Sequence, residues 1–424
     1  MKAMRFVTAG FMLSLLMASY SGNKGSNSMI KHLPNSIILE WNEVAYKAFD
    51  GPMYQHSLMA ARINAMTHIA MHDALNAIYP MYKTYVYEGI DRKADPFAAA
   101  ASAAHTVLVN EIPSKKNYLD SALNKTLATI ANSNAKTKGI VLGKKAGMAI
   151  VNARREDGSN GEAMAKVPSS NAPGVYTAVP PFNILFAPHW ENVKLFSLQR
   201  KNQFRVPPHP SLNSSAYAIG FNEVKETGKI NSTSRTHNQT TYAKFWYEFS
   251  EAGWNRVART VAASRKLDLF ETARLFALVD MAIADAYTAG WDSKFHYNFW
   301  RPYTAIRLAA NDGNDATSAD AGWEPAEPTP PVQDYPSTHS ALGNAAATVL
   351  ARLLGDNTAF TMTSVTAVPA GSTRNFTSFS QAANENADSR VQAGIHFRFS
   401  CVAGQELGNK VGNWTVDNYL APVK

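Results

Sequence analysis

From residue 57 onward apolar side chains recur every three or four positions, and few stretches alternate with the period of two that a half-buried strand requires. Ser57 to Ile78 runs through Met59, Ile63, Met66, Ile69 and Ala70 on this spacing. Asp95-Pro96 supplies an N-cap and a proline at the first helical position before the alanine-rich run 97–109. Leu119, Leu123, Leu127 and Ile130 stripe one face, and Ile140 to Val151 continues the pattern. Asp268 with Glu271 forms a capping box for a helix from Leu269 to about residue 289. The fold class is therefore all-α, built as helix bundles, with two packed bundles expected.

Two segments, 155–212 and 311–335, are rich in Pro, Asn and Gly and read as long irregular loops that can carry groups facing a substrate. They suggest an N-terminal helical half over 30–205 and a C-terminal bundle over 213–424. Lys2 and Arg5 precede the apolar run Phe6 to Ala18, which is followed by small and polar residues. That order reads as a cleavable export signal over 1–21, too short for a comfortable membrane span, and predicts a periplasmic or secreted protein without a stable membrane anchor.

Cys401 is the only cysteine, so no internal disulfide can form and stability must come from packing or a bound group. Its apolar neighbourhood reads as core. The net charge of +8 favours anionic ligands, but the basic residues form no run, so no nucleic-acid partner is expected. The oligomeric state is not legible.

Three clusters in the last third carry chemistry. Lys294 and Arg301 flank an aromatic segment containing Phe295, Tyr297, Phe299 and Trp300, with Pro302 following. On one helix, seven residues bring them within about 20° and about 10 Å, so both arms can reach one anion, with the helix stopping before the proline. Next, Pro336-Ser337-Thr338-His339 precedes an alanine-rich helix; Ser337 reads as its N-cap, and a helix N-terminus presents free N–H groups to an oxyanion. Finally, Arg390 and His396 lie six residues apart, about 120° on an unbroken helix, so a break at Gly394 is needed for both to face one site. Taken singly, each cluster also fits solvated or core side chains.

Together the order K-x6-R-P, then P-S-T-H after 33 residues, then S-R-x5-H after 49 more, resembles the signature of the type 2 phosphatidic acid phosphatase and vanadium haloperoxidase superfamily. Trp41-Asn42-Glu43 and the 60–78 helix look like its bacterial vanadium-dependent haloperoxidase branch, as does the text around Asn298 to Pro302 and Gly394 to Phe399. The resemblance implies a buried oxyanion, vanadate or phosphate. Lys294, Arg301 and Arg390 would neutralise it, and Ser337 and the Thr338 amide would hydrogen-bond it. His339 would be the acid/base and His396 the axial vanadate ligand, with Lys294 polarising the bound oxidant; the catalytic set is then His339, His396 and Lys294. Trp291 matches an aromatic position beside the halide pocket of chloroperoxidase-type members. Hydrogen peroxide and a halide would be the reactants, vanadium staying at +5. The alternative is a phosphomonoesterase in which His396 attacks phosphorus and His339 protonates the leaving group, and a third possibility is an oxyanion-binding homologue with weakened turnover.

Two departures motivate that third possibility. Thr338 stands where the family often has Gly, and its β-branch disfavours a left-handed backbone. Ser400 stands where an acid often orients the last histidine; Asp285, Asp292, Asp334 and Asp388 are the candidates to replace it. His68, His72 and Asp73 have metal-ligand spacing without a third ligand and read as a core or surface pairing; His296 and Tyr297 tune the pocket at most.

Overall fold

The computed structural model describes residues 32–170 and 172–423, so the expected export signal at 1–21 lies outside the described residues. Five helices come first: α1 (Ser36–Ala48), α2 (Ser57–Ile78), α3 (Pro96–Glu111), α4 (Lys116–Ala128) and α5 (Asn134–Ala153). After a long irregular stretch follow α6 (Ser215–Thr227), α7 (His237–Phe245), α8 (Ser250–Ser264) and α9 (Leu269–Tyr297). The chain ends with α10 (Pro302–Arg307), α11 (Thr338–Leu354), α12 (Phe379–Gln392) and α13 (Arg398–Asn418). The fold is all-α. Strand content among the described residues is limited to two antiparallel pairs, Met164–Ala165 with Leu185–Phe186 and Phe360–Thr363 with Thr373–Phe376. Neither pair follows from the sequence reading, although Phe360–Thr363 alternates buried and exposed residues over four positions.

The caps act as the sequence predicts: Asp95 accepts from the Ala98 amide, and Asp268 with Glu271 closes a reciprocal capping box. Helix α9 runs eight residues past the expected end near residue 289, because the apolar face is buried through Lys294 and the stop comes only at Asn298, which takes the left-handed conformation at φ 47°. This central helix packs on α2 from the first half and on α11 and α13 from the second.

Glycines set two close helix pairings. Gly139, Gly143 and Gly147 of α5 face the carbonyls of Asp95, Ala99 and Ala103 of α3 and its cap, where added Cβ atoms would come within 2.5, 2.2 and 2.9 Å. Gly404, Gly408 and Gly412 of α13 face Ser337, Ala341 and Ala345 carbonyls in the same way, at 2.4, 2.2 and 2.8 Å. An i, i+4, i+8 stripe without side chains lets the two backbones touch. Gly408→Ala should therefore lower stability by about 1–3 kcal/mol through overpacking against a backbone that cannot yield, read as a fall in Tm; an unchanged Tm would contradict this contact.

Glu251 of α8 is fully buried and accepts from the Tyr54 and Tyr287 hydroxyls at 2.5 and 2.9 Å. Burial lifts its pKa to about 7 against the bonds of the two tyrosines. A native pKa above the unfolded value stabilises the fold below about 4.5 and loses that contribution as pH rises through 7. Comparing wild type with Glu251→Gln, denaturant titrations should show wild type gaining relative stability as pH falls from 7 to 4.5; parallel curves would refute the buried carboxyl.

Candidate active site

Each cation of the predicted set is buried, and each is held by backbone carbonyls. Lys294, in the last turn of α9, donates to the Gln333 and Asp334 carbonyls at 2.6 and 3.1 Å. Arg301 does not share its helix, because α9 ends at Tyr297; it sits at the extended N-cap position of α10, as a residue before proline should. Pro302 opens a helix there rather than merely ending one. Arg301 donates Nε to Val332 O at 2.7 Å and Nη1 to Ile395 O at 2.7 Å. Arg390, near the end of α12, gives Nη1 to Trp246 O at 2.9 Å and leaves Nε without a partner. The loop at 311–335 thus does face the site, through Val332, Gln333 and Asp334, while the 155–212 loop meets the end of α9, where the Tyr176 amide donates to Asn298 O at 2.9 Å.

The N-terminus of α11 meets this group. Ser337 occupies the N-cap position, but its hydroxyl caps nothing; it accepts from Ser340 Oγ at 3.0 Å. The first-turn amides therefore keep the free N–H groups that every helix start leaves. Thr338 is the first helical residue and is not among those with positive φ, so its β-branch strains nothing. His339 keeps part of its surface open and has Nε2 2.9 Å from Glu248 O. A carbonyl only accepts, so Nε2 carries the proton and Nδ1 the lone pair. Burial, with Arg390, Arg301 and Lys294 adding to it, pushes the His339 pKa well below its usual value.

Helix α12 ends at Gln392, Gly394 takes φ 79°, and α13 begins at Arg398, so the break needed to turn His396 toward Arg390 is present. His396 is buried, with Nε2 2.9 Å from Arg301 Nη1 and Nδ1 2.8 Å from Asp334 Oδ1. That second approach is short but not aligned as a hydrogen bond, and Oδ1 has no other donor. Ser400 Oγ donates to the other oxygen of Asp334. Burial and then Arg301, Lys294 and Arg390 hold the His396 pKa well below its usual value, while burial raises that of Asp334 to about 6 against the pull of Arg301.

Other candidates lie elsewhere. Asp285 accepts from the amides of Phe196, Ser197 and Leu198; Asp292 pairs with Arg205; Asp388 pairs with Arg398 and Tyr242. His68 and His72 are buried against Asp280 and Asp73, and no group able to hold a metal cation occurs among the described residues. His296 is exposed and Tyr297 donates to Val206 O, so neither enters the cluster. Trp291 is buried one turn before Lys294, edge-on to Tyr287. Burial lifts the Cys401 thiol to about 12, which makes it inert.

Lys294, Arg301 and Arg390 thus lie buried with one carboxylate among them, Asp334, itself 3.9 Å from Arg301; neither Lys294 nor Arg390 has a described carboxylate within 4.0 Å. Burial and the neighbouring guanidinium of Arg301 drive the Lys294 pKa well down, and burial brings Arg390 to about 10. Such a surplus of buried positive charge is costly without an anion. One turn before Lys294 on α9, a Cβ added to buried Gly290 would meet nothing within 4 Å. Multidentate cations, free helix N–H groups and a neutral imidazole are the donor set an oxyanion such as vanadate or phosphate needs.

Fold and site together define a helix-bundle protein with a buried cluster of cations beside a helix N-terminus. A family model described as the VCPO second helical-bundle domain matches residues 274–424. Vanadium chloroperoxidase of Curvularia inaequalis is 26% identical over 295 residues, 54% of this chain and 48% of the relative, so the chain spans about half the length of that curated protein. Among solved structures, a bacterial vanadium-dependent iodoperoxidase superposes with a TM-score of 0.80 at 24% identity, covering 92% of this chain and 99% of that one. An apo-type bacterial vanadium-dependent chloroperoxidase gives 0.72 at 16%, covering 91% and 98%. Residues 274–424 thus match the second helical-bundle domain of that family, and the chain shares its fold with the bacterial vanadium-dependent haloperoxidases.

The charge surplus has a measurable consequence. Orthophosphate or orthovanadate at about 100 times its dissociation constant should stabilise the protein by about 2.7 kcal/mol, seen as a rise in Tm. Arg390→Met, which removes a buried charge at the cost of one hydrogen bond, should leave the ligand-free Tm equal or higher and abolish most of that rise. A variant that is less stable yet still responds to oxyanion would show the charges to be balanced already.

Proposed function

We propose that this protein is a vanadate-dependent haloperoxidase, using hydrogen peroxide to oxidise a halide to a hypohalous acid equivalent. The observation that carries this reading is the surplus of buried cations around His396 and the α11 N-terminus. Lys294, Arg301 and Arg390 would hold the vanadate oxygens, with Ser337 and the Thr338 amide hydrogen-bonding them and His396 Nε2 as the ligand to vanadium; phosphate would occupy the same place. Bound vanadate supplies a Lewis-acidic centre that activates hydrogen peroxide for two-electron oxidation of the halide. The reaction joins halide, peroxide and one proton into hypohalous acid and water, so the site must manage protons.

His339 fits that task. Its Nε2–H is held on Glu248 O, and burial among cations keeps the ring neutral near pH 7, so Nδ1 can take a proton from incoming peroxide and return it. Lys294, fixed on two carbonyls, would polarise the bound oxidant, and Trp291 would line the halide side. The named relatives are chloro- and iodoperoxidases, which supports the reaction class for this chain. Export to the periplasm or beyond is proposed from Lys2, Arg5 and the apolar run 6–18; among the described residues no helix is long and apolar enough to cross a membrane.

Purified protein given orthovanadate, peroxide and chloride, bromide or iodide should halogenate a dione dye. The activity should require vanadate and fall roughly 100-fold or more in His396→Ala. Release of phosphate from an aryl phosphate, inhibited by vanadate and unaccompanied by halogenation, would instead assign the pocket to a phosphomonoesterase working through His396.

A further inference from the structure

We infer that Asp334 is the positioning residue for His396, taking over from across the site the work of the acid that is absent at position 400, and that Ser400 holds Asp334 in place. The inference rests on the oxyanion-site reading above. Of the four acids that could serve, three are engaged elsewhere: Asp285 with three backbone amides, Asp292 with Arg205, and Asp388 with Arg398 and Tyr242. Only Asp334 reaches the ring, 2.8 Å from Nδ1. It is fully buried and held by three hydrogen bonds: its amide donates to Phe299 O at 3.0 Å, its carbonyl accepts from Lys294 Nζ at 3.1 Å, and Oδ2 accepts from Ser400 Oγ, which leaves Oδ1 facing His396.

The chemical effect follows from which ring nitrogen the carboxylate meets. A carboxylate beside Nδ1 favours the tautomer with the proton there, which leaves the Nε2 lone pair directed to the side where Arg301 Nη1 lies, 2.9 Å away. The Oδ1 that lies 2.8 Å from Nδ1 has no other donor, so its acceptor capacity is free for the ring. Ser400 also receives the Ser337 amide on its carbonyl at 2.9 Å, so the residue where an acid is lacking ties Asp334 and the start of α11 to one turn of α13.

Charge and orientation pull in opposite directions here, and that separates a positioning role from a structural one. Asp334→Asn removes a negative charge near the pocket, so inorganic phosphate, held by the cations and the α11 N-terminus without a bond to His396, should bind as tightly as in wild type or more tightly. Orthovanadate, held by His396 as well, should bind about 10- to 100-fold more weakly. Equilibrium dialysis of both anions measures this without turnover. Ser400→Ala, a milder change, should weaken vanadate several-fold and leave phosphate unchanged; Asp334→Asn with Ser400→Asp should recover most of the lost vanadate affinity. If wild type binds neither anion, the site reading itself fails. If it binds both and Asp334→Asn weakens both alike, or weakens neither, Asp334 does not position His396. Should Asp334→Asn not fold, Ser400→Ala decides the matter by the same contrast.

Discussion

Three buried cations lie in this protein with a carboxylate, Asp334, within 4.0 Å of only one of them, Arg301, and nearly everything around them makes that state tolerable without cancelling it. Five acceptors carry the load: the carbonyls of Gln333 and Asp334 for Lys294, of Val332 and Ile395 for Arg301, and of Trp246 for Arg390. A carbonyl satisfies an N–H donor but leaves the formal charge in place, whereas a carboxylate would quench it. All five come from segments between helices, because a helix spends its interior carbonyls on its own ladder. The long irregular stretch before α11 is therefore part of the site's electrostatics rather than a mere connection.

The helices contribute rigidity. Close backbone contact along Gly404, Gly408 and Gly412 fixes the start of α13 against the start of α11, so the Ser337 amide reaches the Ser400 carbonyl and the free N–H groups point at a fixed place. Asn386 of α12 donates to His339 O at 3.1 Å, binding the third helix of the group to the same helix start. Preorganised donors of this kind are worth more than flexible ones, since no reorganisation is needed when an anion arrives.

Much of this is legible in the sequence, for identifiable reasons. Lys294, Arg301, Ser337, His339, Arg390 and His396 stand out because polar types at fixed spacing interrupt an apolar helical text, and Gly394 marks the turn that makes the last two compatible. Capping residues fix the starts of α3 and α9 because their bonds are local. What escapes is the non-local part. The end of α9 depends on tertiary burial through Lys294 and on Asn298, not on the local apolar pattern. The Ser337 hydroxyl turns to Ser340 rather than to the amides, and which of four aspartates reaches His396 depends on how a 30-residue loop returns. The glycine stripes at 139–147 and 404–412 were present as an i, i+4, i+8 signal and needed only to be read as close helix contact. The expectation about Thr338 failed in its premise: β-branching does disfavour positive φ, but that position is helical.

The two histidines illustrate how one residue type can divide labour inside a single electrostatic field. Burial and the same three cations push the pKa of both rings well below its usual value, Arg390 foremost at His339 and Arg301 at His396. The difference lies in the partner of the second nitrogen. Glu248 O fixes the His339 tautomer while adding no charge, which leaves Nδ1 a weakly basic nitrogen that parts readily with any proton it takes. The carboxylate of Asp334 beside His396 Nδ1 pushes electron density toward Nε2 and makes that nitrogen the better lone-pair donor. A proton carrier needs the first environment and a ligand or nucleophile the second, so the proposed roles of the two rings follow from their neighbours rather than from their own chemistry.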